Sequence, residues 1–87
     1  MKQLPDITIW DNDSARIADI DVNLGNAMRR LGLKGLVRIM SEPPLLAREG
    51  LLNDVPVLEI QGRYWKIHPN RTITEEECLS LLRIIAG

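Results

Sequence analysis

Ile7-Thr8-Ile9-Trp10, followed at once by Asp11-Asn12-Asp13-Ser14 and then by a long apolar stripe, decides the fold of this chain. The first four residues alternate and are β-branched or aromatic. Pro5-Asp6 on one side and the polar cluster on the other break them off, which predicts a short strand starting near Gln3. From Ser14 onward the period changes. Ile17, Ile20, Leu24, Ala27, Met28 and Leu31 fall three or four residues apart, while Arg16, Asp19, Asn23, Asn26 and Arg30 lie largely off that stripe. Such spacing predicts an amphipathic helix packed on the sheet. Asp13 or Ser14 supplies the N-cap, since a side-chain oxygen there accepts from an orphan backbone N–H. Arg29-Arg30 suit the negative end, and Gly32 suits the C′ position. Gly25 costs about 1 kcal/mol against alanine inside a helix and is expected to permit close approach to the sheet.

Working outward, Leu36–Met40 predicts a second strand. Pro43-Pro44 forces a break, with Pro44 opening a helix of one to two turns through Leu45, Leu46, Glu49 and Leu52, interrupted near Gly50. Val55–Ile60 and Arg63–Ile67 predict a third and a fourth strand. Gln61-Gly62 between them makes a two-residue hairpin turn. Thr74-Glu75-Glu76-Glu77 is a capping box, and the helix it opens runs to about Ile85. The expected fold class is α/β, with element order β-α-β-α-β-β-α. A four-stranded mixed sheet in the order 2-1-3-4 is flanked by helices, and residues 1–87 form one domain.

Composition bounds the function. The 87 residues carry 11 basic and 12 acidic side chains, so a strongly basic nucleic-acid protein is excluded. Arg29, Arg30, Lys34 and Arg38 are a modest basic run, read as a solvated helix end and strand edge. One cysteine forms no internal disulfide, and one Cys with one His falls short of the usual four-ligand zinc site. Asp11-Asn12-Asp13 and Asp19-x-Asp21-x-Asn23 begin like calcium loops. They lack the required glycine, having Arg16 and Leu24 there, and the terminal Glu, having Val22 and Arg30. No run reaches the length of a membrane span and the start carries no secretory pattern, so the expected address is cytoplasmic. No metal, membrane or nucleic-acid partner and no cofactor is expected.

With these elements in place, the chain resembles a small thioredoxin-like domain (thioredoxin/glutaredoxin fold). The resemblance rests on the Ile7–Leu31 strand-helix unit, on Val55-Pro56-Val57-Leu58 where that family places a cis-proline, on the Gln61-Gly62 turn, and on the final helix opening with Thr74-x-x-Glu77. It covers nearly the whole chain. One departure is decisive. The family's Cys-x-x-Cys position reads Ser14-Ala15-Arg16-Ile17 here, and no cysteine precedes Cys78. Dithiol–disulfide exchange needs a thiolate nucleophile and a second thiol to resolve the mixed disulfide. A serine hydroxyl supplies neither, so that reaction is excluded by composition.

The resemblance implies a redox-inactive protein- or peptide-binding or scaffolding module. Its surface would be the helix entrance together with the proline turn: Trp10, Asp13, Ser14, Val55 and Pro56. The Val55 backbone would pair with an extended segment of an unknown protein or peptide. The alternative is a glutathione-binding, transferase-like enzyme in which Ser14 donates its hydroxyl to the glutathione thiolate. A third reading is a structural homodimer through the C-terminal helix, whose apolar arc (Leu79, Leu81, Leu82, Ile84, Ile85) is wider than one sheet face requires. Trp10 either walls a pocket or packs in the core. Tyr64 and Trp65 are adjacent on a strand and must face opposite sides. Cys78, on an apolar face with glutamates beside it, is expected to be buried and inert. His68 has no catalytic partner in the sequence pattern.

Overall fold

A computed structural model describes residues 2–4 and 6–86. In chain order the elements are β1 (Lys2–Gln3), β2 (Ile7–Trp10), α1 (Ser14–Arg30), β3 (Leu33–Lys34), β4 (Val37–Met40), α2 (Pro43–Arg48), β5 (Val57–Ile60), β6 (Arg63–Lys66) and α3 (Glu75–Ala86). Four strands form one mixed sheet in the order β4-β2-β5-β6. β2 runs parallel to β4 and antiparallel to β5, and β5 runs antiparallel to β6.

The element count corrects the expectation of seven. β1 and β3 form a separate parallel pair, with Lys2 opposite Leu33. Both are two residues long, too short to show a periodicity. The strand expected to start near Gln3 starts at Ile7, and Pro5 lies outside the described residues. On either side of that break the chain stays beside the same neighbour. Leu4 N–H donates to the Lys34 carbonyl at 2.7 Å, and Ile7 N–H donates to the Leu36 carbonyl at 2.9 Å.

The pleat sends alternate residues to opposite faces, and the register makes each face continuous. Ile7 and Ile9 pair with Ile60 and Leu58, and with Val37 and Ile39 on the other side. Ile7, Ile9, Leu58 and Ile60 meet Ile20, Leu24, Ala27 and Met28 of α1 and Cys78, Leu79, Leu81 and Leu82 of α3 in the larger core. Trp10 and Val57 face the other way, into a smaller core with Leu46 of α2, Leu51 and Val55. The two longer helices thus share one face, and the short α2 covers one end of the opposite face.

Local signals explain the boundaries. Asp13 is the N-cap of α1 and accepts from Arg16 N–H at 3.0 Å, so Ser14 is the first helical residue and not the cap. Gly32, at φ 65°, follows the C-cap Leu31. Gly25 makes no close approach to the sheet. A Cβ there would meet only the Arg29 guanidinium, at 3.6 Å. The tight position is Gly35, where a Cβ would stand 3.3 Å from the Leu4 Cβ. α2 opens at Pro43, one residue earlier than expected, behind Glu42. Gln61 and Gly62 both have positive φ (57° and 75°), as a type I′ hairpin turn needs. At α3, Glu77 N–H donates to Thr74 Oγ1 at 3.1 Å, and Thr74 N–H donates to Glu77 Oε1 at 2.9 Å. Among the described residues no helix is long and apolar enough to cross a membrane.

Candidate functional site

At the end of β2 the chain leaves the sheet between a parallel neighbour, β4, and an antiparallel one, β5, and enters α1. In open α/β sheets the crevice beyond the carboxyl ends of the strands, where the topology switches, is the usual ligand position. The strand end, the first turn of α1 and the Val55-Pro56 turn are therefore the first place to look for function.

Trp10 is core and not a pocket wall. It is 6% exposed within the smaller core. Its Nε1 donates to Glu59 Oε1 at 2.8 Å, and its ring stands edge-on to Tyr64 with centroids 6.1 Å apart. Tyr64 faces this side and Trp65 the other, as their adjacency requires. The Tyr64 hydroxyl donates to Glu49 Oε1 at 2.9 Å; partial burial first, and then Glu49, raise its pKa.

The sequence places the Asp11 carboxylate, with that of Asp13, at this helix end, where the pair disfavours an anion. The burial of Asp11 and its pairing with Arg16 are what sequence reasoning missed. The Asp11 side chain is 0% exposed. Arg16 grips it with two donors, Nε to Oδ2 and Nη2 to Oδ1, both at 2.6 Å. The backbone N–H groups of Asn12 (2.8 Å) and Asp13 (3.2 Å) donate to the same Oδ1. Donating to the Asp11 carboxylate raises the pKa of the Arg16 guanidinium against the lowering effect of burial. No motif marks this pair. Asp11 reads as one of three polar turn residues, and Arg16 as an off-stripe helix residue.

These contacts limit what the helix entrance can bind. A free helix N-terminus attracts anions through its orphan N–H groups. Here the amides of Asn12, Asp13 and Arg16 are already satisfied by the carboxylates of Asp11 and Asp13. A thiolate beside Ser14 would meet those carboxylates, with only the Ser14 and Ala15 amides of the first turn left to donate to it. Among the described residues no three His, Cys, Asp or Glu side chains gather as a metal site would need.

Val55 shares the smaller core with Trp10 and is 3% exposed. The Val55–Pro56 peptide is cis, and Pro56 is buried. The next residue, Val57, is the ladder partner of Trp10. The Val55 carbonyl is already engaged by Asn70 N–H at 2.8 Å, so the main-chain position expected to receive a ligand strand is held by the chain's own loop. Of the five expected residues, Trp10, Val55 and Pro56 are buried at this end of the sheet, while Asp13 and Ser14 are exposed.

The remaining candidates lie elsewhere. Cys78 is buried, and its thiol is pushed up to about 12 by burial, with Glu77 and Glu75 adding to it. His68 stands 3.6 Å from Glu77, which Arg71 also engages at 2.9 Å. In the basic run, Arg29 donates to Asn26, Arg30 pairs with Glu75 and Glu76, and Arg38 pairs with Asp6. Comparison with known proteins finds no matching family model, no similar curated protein and no similar solved structure.

Proposed function

We propose that this chain is a thioredoxin-like domain without dithiol chemistry, and that it binds an extended protein or peptide segment at the α1 entrance. The β2-α1-β4 unit and the β5-β6 hairpin support the resemblance, while β1 and β3 stand outside it. One observation carries the binding reading: Asp13 and Ser14 stand exposed at the α1 entrance, where β2 ends beside the buried Trp10, Val55 and Pro56. A ligand segment that pairs with the Val55 carbonyl, as in β-strand addition, must first displace the Asn70 N–H that holds it. Asp13 and Ser14 are then the exposed polar contacts, and Trp10, Val55 and Pro56 the buried support.

The test is selection of random displayed peptides on the intact protein, followed by affinity measurement on Ser14→Arg. Ser14 is exposed, so the substitution leaves the core untouched. The proposal expects at least about a tenfold loss of affinity, on the scale of one good polar contact replaced by a clash. Binders indifferent to that change contradict it. A parallel titration with glutathione is expected to leave the Ser14 and Val55 amide signals in place; localised shifts there would favour the transferase-like alternative.

A further inference from the structure

On the far side of the molecule, α3 leaves an apolar groove of about 370 Å³ beside the edge strand β6. Trp65, Ile67, Leu81 and Ile84 line it, with Glu76, Glu77 and Ser80 along its rim. Ile84 is 71% exposed, the most open of the large apolar side chains among the described residues. The outward face of α3 also carries a sequence symmetry. Ser80, small and exposed, lies between Glu76 and Arg83, both exposed.

We propose that this face docks a second copy of the chain, two α3 helices packing antiparallel about a two-fold axis near Ser80. Helix geometry carries the argument. At 1.5 Å per residue, Glu76 lies about 6 Å on one side of Ser80 and Arg83 about 4.5 Å on the other. At 100° per residue the two also fall on the same flank of the Ser80 line, within about 20° of each other. An antiparallel two-fold operation therefore brings Glu76 of each copy level with Arg83 of the other, giving two equivalent ion pairs. Ile84 lies on the opposite flank, and the same operation carries it level with Glu77 at the rim of the other copy's groove. Ser80 at the crossing lets the backbones approach closely. Such self-complementarity of charge and shape is what an isologous interface requires. Arg83 has no ion pair within the chain among the described residues, whereas Glu76 retains 77% exposure despite its contact with Arg30. One helix face with an adjoining groove is a small interface, so the association is of the weak, reversible kind.

Sedimentation equilibrium of the intact chain, from about 5 µM to about 1 mM, tests this. The expected result is a monomer–dimer equilibrium that Ile84→Glu abolishes. Glu76→Arg and Arg83→Glu each weaken it at least about tenfold by placing like charges opposite, and the double variant returns to within about threefold of the parent. All these positions are exposed, and thermal melts confirm folding of each variant. A chain that stays monomeric at the highest concentration overturns the proposal. So does a dimer that Ile84→Glu leaves intact, or a double variant no better than the singles.

Discussion

Replacing Arg16 by Met isolates the energetics of the helix entrance. The Asp11 carboxylate has no contact with water and accepts four hydrogen bonds, two from Arg16 and two from the Asn12 and Asp13 amides. Arg16→Met removes the charged pair of donors and leaves a buried carboxylate facing two amides. Breaking a buried pair in this way costs about 3–5 kcal/mol. A chain of 87 residues has roughly 4–13 kcal/mol to lose. The reverse change is cheaper. Asp11→Asn leaves Arg16, whose side chain is 14% exposed and can turn to solvent, so the cost is about 1–3 kcal/mol. Combining the two changes recovers part of the loss, with a coupling of about 1–3 kcal/mol. Urea unfolding of the four species measures the cycle. An Arg16→Met cost under about 1 kcal/mol, or one smaller than that of Asp11→Asn, would refute the reasoning, because it would mean that the carboxylate is solvated.

Other consequences are equally open to measurement. Thr74→Ala removes the hydroxyl half of the α3 capping box and should cost about 1 kcal/mol in urea melts. The Thr74 N–H chiefly, with the Thr74 hydroxyl, Arg71 and His68, holds Glu77 below its ordinary 4.5 against the effect of burial. Its stabilisation is therefore complete above that value and is lost as pH falls through the lower folded value, so Glu77→Gln should show a shallower acid-side loss of stability below about pH 4.5. Cys78, with its thiol at about 12, should react with iodoacetamide at pH 8 at least about 100-fold more slowly in the native protein than in urea. Gln61 has φ 57° in the hairpin turn, a conformation asparagine tolerates better, so Gln61→Asn should raise stability by about 0.5 kcal/mol.

What could be read in advance followed physical rules of short range. The α1 stripe, the Gln61-Gly62 turn and the Thr74–Glu77 box each depend on a few neighbouring side chains, and the structure has all three. The β1–β3 pair did not show because two-residue strands carry no period and their pairing spans about thirty residues of chain. Gly25 misled for a related reason. A glycine in a helix signals space, but what fills that space comes from elsewhere, here Arg29 one turn on. The site was half legible. Trp10, Val55 and Pro56 could be placed together through the resemblance. The Asp11–Arg16 pair and the Asn70 contact at Val55 are made across a turn and between loops, where no pattern in the sequence distinguishes a paired polar residue from a solvated one.

The binding reading is tested most directly by amide spectra and hydrogen exchange of the isotope-labelled protein with a selected peptide. The account predicts the largest shifts at Trp10–Ser14 and around Val55, with faster exchange of the Asn70 amide as the peptide displaces it from the Val55 carbonyl. Unchanged protection at Asn70, with shifts confined to Trp65, Leu81 and Ile84, would contradict it.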